Sequence, residues 1–209
     1  MELTERDFDI LRLVYRFRFC LGRHIRVLCG FSGARATDRR LKMLIDAGYL
    51  KRKKYIYGIP YLYTLPHKGR IIIGANKRED KIRIERITHD IYVLDTLIYL
   101  IEKYKLPLNA VESEKELNIK YGFGAKKHHP DFVFSLDNNN YAVEIELSVK
   151  SKEQIEQNIR DNYMRFDCQI WIVDNKKVFT IINNLTNEYS NIEIIRLEEV
   201  RDYVRTRYS

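Results

Sequence analysis

HHPDFVFSLDNNNYAVEIELSVKS, residues 128–151, predicts two β-strands joined by a polar turn. If DNNN closes a simple hairpin, Asp131 lies opposite Glu146 and Val133 lies opposite Glu144. Because side chains alternate along a strand, all three carboxylates then share one face of the sheet. The other face is the predicted core face, formed by Phe132, Phe134, Leu136, Tyr141, Val143 and Ile145.

Three carboxylates on one sheet face repel one another unless a proton or a cation neutralises them. Mg²⁺ usually takes one or two protein carboxylates, with water and phosphate completing its coordination. We therefore predict an Mg²⁺ or Mn²⁺ site formed by Asp131, Glu144 and Glu146, with Glu114 of ESEKEL as a further ligand. The alternative, equally open from the hairpin pattern, is a solvent-facing strand whose carboxylates pair with Lys126, Lys127, Lys150 and Lys152.

The composition is that of a globular protein. The 209 residues are 45% hydrophobic and 32% charged, enough for one or two compact domains. Cys20, Cys29 and Cys168 lie far apart without CxxC spacing, which argues against a disulfide framework and a structural zinc site and favours the cytoplasm. We see no leader peptide and no apolar run near the roughly 18 residues of a membrane span, so neither export nor a membrane partner is expected.

Charge is distributed unevenly along the chain, whose net charge is +8. Residues 1–80 contain 18 Lys and Arg against 8 Asp and Glu, whereas residues 81–209 contain 19 against 21. The positive excess therefore belongs to the N-terminal part alone. A segment this basic is expected to attract a polyanion, either nucleic acid or an anionic membrane surface, and the alternative is a basic surface that serves only solubility.

Three helices are predicted within residues 1–48. Thr4 is a suitable N-cap for LTERDFDILRLVYRFRF, and Gly30 closes a short helix at RHIRVLCG. Ser32 is the expected cap of GARATDRRLKMLIDAG, which ends at Gly48. Three helices joined by tight turns are typical of a helix-turn-helix.

The third helix has an apolar face and a cationic face, the latter carrying Arg35, Arg39 and Lys42. Such a helix suits the DNA major groove, where Arg makes paired hydrogen bonds to guanine. YLKRKKYIYGIPYLYTL then predicts a basic hairpin, or wing, and PHKGRIIIGAN a short helix. This order predicts a winged helix-turn-helix that binds DNA, with protein binding as the alternative. The predicted DNA contacts are Ser32, Arg35, Arg39, Arg40, Lys42, Lys51, Arg52, Lys53 and Lys54.

A second domain is predicted over residues 81–209, after a first domain over residues 1–80. It is expected to begin with a long helix at KIRIERITHDIYVLDTLIYLIEKYK. Beyond the hairpin come a helix at SKEQIEQNIRDNYMRF, a strand at CQIWIVD, a helix or strand near VFTIINNL, a strand at IEIIRL and a helix at EEVRDYVRTRY. Strands alternating with helices predict an α/β domain with a mixed central sheet, so the chain is of the α+β or α/β class.

PD at the start of one strand, followed after a polar turn by VEIELSVKS, resembles the PD-(D/E)xK nuclease superfamily. The resemblance implies a restriction-endonuclease-like fold in which Asp131 and Glu144 bind a catalytic metal ion. Glu146 stands where that motif has lysine, and Lys150 is the candidate substitute. The departure leaves catalysis open, because some restriction endonucleases also have Glu there, whereas other members with altered motifs have lost cleavage.

The whole chain resembles the replication-relaxation family of plasmids and other mobile elements. The matching stretches are LTERDFDILRLVYRFRF, the Arg-rich helix ending LIDAGYL, YLYTLPHKGR, THDIYVLD, ESEKEL and the PD hairpin. The resemblance implies a winged helix fused to a nuclease-like domain, with a role in plasmid replication or DNA relaxation. Double-stranded DNA, a relaxase or replication initiator, and a second copy of the chain are the candidate partners.

Three functions remain open from the sequence. The chain is an accessory protein of plasmid replication, a metal-dependent endonuclease or nickase, or a transcription regulator whose nuclease-like domain is an inert scaffold. His128 and His129, with Lys126 and Lys127, are further candidates for contacting phosphate beside Asp131.

Overall fold

The computed structural model of the protein describes residues 2–76, 78–122, 128–148 and 150–208. Its α-helices are α1 (Glu5–Phe17), α2 (Gly22–Leu28), α3 (Ala34–Asp46), α4 (His67–Ile72), α5 (Ile87–Tyr104), α6 (Glu114–Tyr121), α7 (Lys152–Tyr163), α8 (Lys176–Leu185) and α9 (Leu197–Tyr208). Its strands are β1 (Phe19–Cys20), β2 (Lys51–Lys53), β3 (Leu62–Thr64), β4 (Val111–Ser113), β5 (Phe132–Leu136), β6 (Asn139–Glu146), β7 (Cys168–Val173) and β8 (Ile192–Arg196). The expected mixture of helices and strands is confirmed.

The chain divides into two compact units, Met1–Leu94 and Asp95–Ser209. The division falls within α5, later than the boundary predicted near residue 80. The reason is that Ile87 and Ile91, on the first turns of α5, pack in a buried cluster with Phe19 of the first unit. None of the described helices is both long enough and apolar enough to cross a membrane.

In the first unit, the three predicted helices are present, together with a small antiparallel sheet with the strand order β1-β3-β2. The sequence does not predict strand β1, because Phe19 continues the pattern of the first helix. That helix stops at Phe17, where Arg18 adopts a left-handed conformation with φ of 68°. The chain then extends as Phe19–Cys20, which pairs with β3.

One of the two N-caps predicted for these helices is confirmed and the other is wrong. Thr4 caps α1 as predicted, and its backbone N–H donates to Oδ2 of Asp7 at 2.7 Å. The N-cap of α3 is Gly33, so the prediction that Ser32 caps this helix is wrong. The first helical hydrogen bond closes on the carbonyl of Gly33, which accepts from the backbone N–H of Thr37 at 3.2 Å and from its hydroxyl at 2.9 Å.

A buried ion pair joins α1 to α3. The Asp7 side chain is fully buried, and its Oδ1 accepts from Nε of Arg40 at 2.6 Å, while a second contact joins Oδ2 to the Arg40 guanidinium. Burial acts to raise the pKa of Asp7, but the hydrogen bonds from Arg40 and Thr4 outweigh it and hold the pKa below its ordinary value. Arg40 is therefore engaged in holding two helices together, and the DNA interface proposed below does not include it.

In the second unit, five of the described strands form a sheet with the order β4-β5-β6-β7-β8. Strands β4, β5 and β6 are antiparallel, and β6, β7 and β8 are parallel, so the predicted mixed sheet is confirmed. The segment near VFTIINNL, left open between helix and strand, is helix α8.

The register of the β5–β6 hairpin differs from the predicted one. Val133 pairs with Ala142, so its predicted pairing with Glu144 is wrong, as is the pairing of Asp131 with Glu146 that follows from it. The cause is a tighter turn than DNNN suggests, because Asp137 and Asn138 alone form the turn, with φ of 50° and 66°. Two successive positive φ angles are typical of a type I′ turn, which matches the twist of a hairpin. A shift of two residues preserves the face on which each side chain lies.

Both faces of the sheet are covered. Phe132, Phe134 and Val143 are buried on the predicted core face. On the other face, Glu144 and Glu146 pair across the parallel ladder with Trp171 and Val173. Those two residues belong to a buried cluster with α7 and α8, whose members are Ile155, Ile159, Trp171, Val173, Val178, Ile182 and Leu185. The acidic face therefore lies under helices.

Replacing Asp7 by Asn should lower the free energy of unfolding by about 2 to 4 kcal/mol at pH 7, because the partly buried Arg40 guanidinium loses its partner charge. The folded-state pKa of Asp7 is lowered. Its contribution to stability is thus present above the unfolded-state pKa of about 3.9 and is lost as the pH falls through the folded-state pKa. Urea titrations between pH 7 and pH 2 measure both effects, and the difference between the two proteins should shrink below about pH 4.

The matched control is Asp9→Asn, which removes an exposed carboxylate from the same helix. It should change stability by no more than about 0.5 kcal/mol, because exposed ion pairs contribute little. An equal loss in both variants, or an Asp7 effect that does not depend on pH, would contradict the assignment.

Candidate functional site

The acidic cluster consists of Asp131, Glu144 and Glu146. The Glu144 and Glu146 side chains point to the face of β6 that α7 covers, and these residues are 5% and 3% exposed. The alternative of a solvent-facing acidic strand is therefore wrong for both. Carboxylates this deeply buried need compensating partners, because desolvation disfavours their charge.

Glu144 is held by two side chains that come from outside the strand. Its Oε1 lies 2.5 Å from Nε2 of His128 and accepts from Nδ2 of Asn162 at 2.9 Å. Burial raises the pKa of Glu144, and the hydrogen bond and charge of His128 oppose that rise. Burial acts to lower the pKa of His128, but the hydrogen bond and charge of Glu144, with the charge of Asp131, raise it overall. The raised pKa of His128 thus favours its protonated form beside Glu144.

Glu146 is neutralised by the segment that follows it. Its Oε2 lies 2.6 Å from Nζ of Lys150, and its Oε1 accepts from the backbone N–H of Ser148 at 3.1 Å and from its hydroxyl at 2.9 Å. If the strand continued, Lys150 would begin about 13 Å beyond Glu146. Strand β6 instead ends at Glu146, so the chain brings Lys150 back to it. The candidate catalytic lysine is thus an ion-pair partner of the candidate catalytic glutamate.

Asp131 and Glu114 lie where the hairpin adjoins β4 and α6. The Asp131 Oδ2 accepts from the backbone N–H of Ile145 at 2.8 Å, and the Asp131 carbonyl accepts from the backbone N–H of Glu114 at 2.9 Å. Glu114 is the first residue of α6, whose N-cap is Ser113. The sequence therefore correctly brings Asp131 beside β6, although through the revised register.

These side chains do not fit a metal ion as they are arranged. Within the described residues, no group of three or more His, Cys, Asp and Glu side chains is placed to hold one. Glu144 and Glu146 already have a histidine and an ammonium group at hydrogen-bonding distance. A divalent cation would have to displace both before it could use these oxygens.

His129 lies beside His128 but points into different surroundings. Its ring stacks near-parallel to Tyr121, with the ring centroids 6.1 Å apart. Neither ring nitrogen has a hydrogen-bond partner among the described residues. Burial lowers the pKa of His129, and the charges of Arg165 and His128 lower it further. Lys126 and Lys127, predicted to accompany the two histidines, lie outside the described residues.

Two residues that contact this region were not found from the sequence. Asn162 occupies the buried face of α7 together with Ile155, Asn158 and Ile159, so a polar residue at helical spacing with apolar ones was the available signal. Arg165 donates from Nη1 to the His128 carbonyl at 2.7 Å. No local pattern marks Arg165, because it follows α7 and reaches its partner only in the fold.

The predicted basic residues of the first unit lie at its surface. Arg35, Arg39 and Lys42 are exposed on α3, opposite the buried Thr37 and Leu41, and make no ion pair within the described residues. Ser32 is also exposed, immediately before the α3 N-cap.

Strand β2 is exposed along its length and carries cations against tyrosines. Arg52 lies over the Tyr61 ring at 4.5 Å, Lys53 over Tyr55 at 5.0 Å and Lys54 over Tyr57 at 5.4 Å. Lys51 differs, because it pairs with Glu79 at 2.9 Å.

Neither a scan against protein-family models nor a search of curated proteins returned a match for this chain. Its function is therefore inferred from the side chains themselves.

Replacing Lys150 by Met should lower the free energy of unfolding by about 1 to 3 kcal/mol, because Glu146 is left as an unpaired buried carboxylate. The double variant Glu146→Gln/Lys150→Met should lose less than the sum of the single variants, with a coupling of about 1 kcal/mol or more. Chemical denaturation of the four proteins measures this cycle. Lys152→Met, at an exposed position nearby, is the control and should shift stability by no more than about 0.5 kcal/mol. Additive losses would show that the Glu146–Lys150 contact contributes nothing.

Proposed function

We propose that the chain is a DNA-binding protein whose first unit is a winged helix-turn-helix. The observation that carries this proposal is the exposed face of α3, where Arg35, Arg39 and Lys42 have no carboxylate partner among the described residues. Cations left free of internal partners are available to phosphates and base edges, and a helix of this kind fits the major groove.

The order of elements supports this interpretation. Helices α1, α2 and α3 are followed by the β2–β3 hairpin, and β1 completes the small sheet. The hairpin would be the wing, since β2 presents Arg52 and Lys53, and the following loop Lys54, beside tyrosine rings. Cationic groups contact the phosphate backbone, and exposed rings such as Tyr57, 96% exposed, offer stacking surface.

The second unit supports a role in DNA processing. Its antiparallel β4-β5-β6 followed by α7 and the parallel β7 places Asp131 just before one strand and Glu144 and Glu146 on the next. The resemblance to PD-(D/E)xK nucleases implies these positions for Asp131 and Glu144, whereas Glu146 stands where the motif has lysine. We therefore propose action in the replication or relaxation of a plasmid or mobile element, with a relaxase or replication initiator as the protein partner.

Metal-dependent DNA nicking is the second candidate. It is favoured by the placement of three carboxylates at adjacent strands, and it requires the ammonium of Lys150 and the ring of His128 to move away from them. Without such a movement the second unit is an inert scaffold, and the chain is a DNA-binding accessory protein or a transcription regulator.

Replacing Arg35, Arg39 and Lys42 together by Ala should weaken binding to duplex DNA and flatten its salt dependence. Each phosphate contact contributes about 0.9 to the slope of log K against log salt, so the slope should fall by up to about 2.7. Fluorescence anisotropy with a labelled duplex at several salt concentrations measures it.

The matched control removes three exposed cations from the second unit, in the variant Lys176→Ala/Lys177→Ala/Arg205→Ala. It lowers the net charge equally and should leave the slope within error of the wild type. Equal changes in both triple variants would mean that net charge, and not α3, governs DNA binding.

For the second candidate, supercoiled plasmid incubated with the protein and Mg²⁺ or Mn²⁺ should convert to open circles. Asp131→Asn and Glu144→Gln should abolish the conversion, whereas Glu153→Gln, at an exposed carboxylate on α7, should retain it. Agarose gels measure the products. Open circles at equal rates in all four proteins would indicate a contaminating nuclease, and intact plasmid with every protein would exclude nicking under these conditions.

A further inference from the structure

The second unit contains a cavity of about 540 Å³ that is not lined by Asp131, Glu144 or Glu146. It is lined by α6, by β5 and by the residues that follow α7. Its volume is in the range of about 300 to 1,000 Å³ typical of small-molecule sites. The lining residues used below are Lys120, Tyr121, His129, Ser135, Arg165 and Phe166.

Flat side chains form much of the wall. The rings of Tyr121 and His129 are inclined by only 18° to each other. The Arg165 guanidinium lies 5.1 Å from the centroid of the Phe166 ring. Aromatic rings and guanidinium planes are the surfaces on which proteins stack unpaired nucleobases.

The wall also carries hydrogen-bonding capacity that the described residues leave unused. Both ring nitrogens of His129 lack a partner among those residues and are covered by their surroundings, so a ligand in the cavity can bond to them only when the ring or its neighbours shift. An unsatisfied buried polar atom is unfavourable, so a ligand that supplies the missing hydrogen bonds is favoured. A neutral imidazole offers one donor and one acceptor, and the edge of a nucleobase offers the complementary pair.

The charge at the cavity suits an anion. Arg165 donates to the His128 carbonyl and has no carboxylate partner within the described residues, so its positive charge is not cancelled. Lys120 also lines the cavity, but Glu112 lies 3.2 Å from its ammonium group. Arginine is therefore the cation best placed to bind a phosphate there.

We propose that this cavity binds one mononucleotide unit, with its base stacked on the aromatic wall and bonded to His129, and its phosphate at Arg165. The choice of DNA as the source of that unit rests on the proposed function. In that case the occupant is an unpaired base of the bound strand. A free nucleotide has the same chemistry and is the other source.

The full chain is to be titrated with dAMP by calorimetry and with two duplexes by fluorescence. One duplex carries a single bulged 2-aminopurine, and the other carries the same base fully paired. Saturable binding of dAMP, together with a change in 2-aminopurine emission for the bulge only, is the expected result. Binding of dAMP without a response from the bulge would identify free nucleotide as the ligand, with the site itself upheld.

Two variants assign the binding to this cavity. Ser135→Trp places a large side chain in it and should abolish both signals, and Arg165→Ala should weaken dAMP binding about tenfold or more. Arg160→Ala removes the same charge from an exposed position on α7 and should leave binding unchanged. Thermal unfolding of each variant confirms that it is folded.

The outcomes separate this proposal from the proposed function. A chain that binds paired duplex but neither dAMP nor the bulge overturns the cavity proposal and leaves DNA binding intact. A chain that binds dAMP but no duplex overturns DNA binding and leaves the cavity site intact. Binding that survives both Ser135→Trp and Arg165→Ala overturns the cavity proposal, because the nucleotide then binds elsewhere.

Discussion

The second unit depends on the burial of two carboxylates on β6. This strand pairs with β5 on one side and with β7 on the other, and helices cover the face that carries Glu144 and Glu146. A buried carboxylate is tolerated only if other groups balance its charge and bond to its oxygens. Here His128, Asn162 and Lys150 do so, and they come from three different segments of the chain. The need to balance the charge of Glu144 and Glu146 thus positions three segments. These are the residues before β5, the residues after β6 and helix α7.

In the first unit, a buried and a half-buried arginine are likewise paired with carboxylates. Arg70 is 1% exposed and pairs with Asp80 at 2.8 Å, and Arg40 pairs with the buried Asp7. Arginines that pair with a buried or half-buried carboxylate fix the packing, whereas those on the outer face of α3 keep their hydrogen-bonding capacity. The sequence contains the same residue type in both roles, and only the fold separates them. The proposed DNA interface consists of the exposed basic residues of α3 that make no ion pair within the described residues.

Much of the fold could be predicted from the sequence because it depends on short-range patterns. Helical spacing located most of the helices, although it left α8 open between helix and strand and did not predict α6. Strand alternation placed Glu144 and Glu146 on one face. The register could not be predicted, since DNNN allows turns of two or four residues and only the backbone angles of Asp137 and Asn138 select between them. Helical spacing marks Asn162 as a polar residue on a buried face, but its contact with Glu144 could not be predicted because the two residues meet through tertiary packing. Because the true register differs from the predicted one by two residues, each side chain stays on its predicted face of the sheet. The acidic cluster was therefore identified although its strand pairing was wrong.

Stability alone does not account for acidic residues at these two positions. Buried ion pairs replaced by well-packed apolar residues often leave stability unchanged or raise it by about 1 to 4 kcal/mol. An apolar residue at Glu144 or Glu146 would extend the surface that Trp171 and Val173 already form on the same face, with no charge to balance. If this face of the sheet served packing alone, apolar residues at both positions would avoid the cost of burying charge. Packing alone therefore does not explain the carboxylates and their cations, whereas the DNA processing and the cavity site proposed for this unit would each use them.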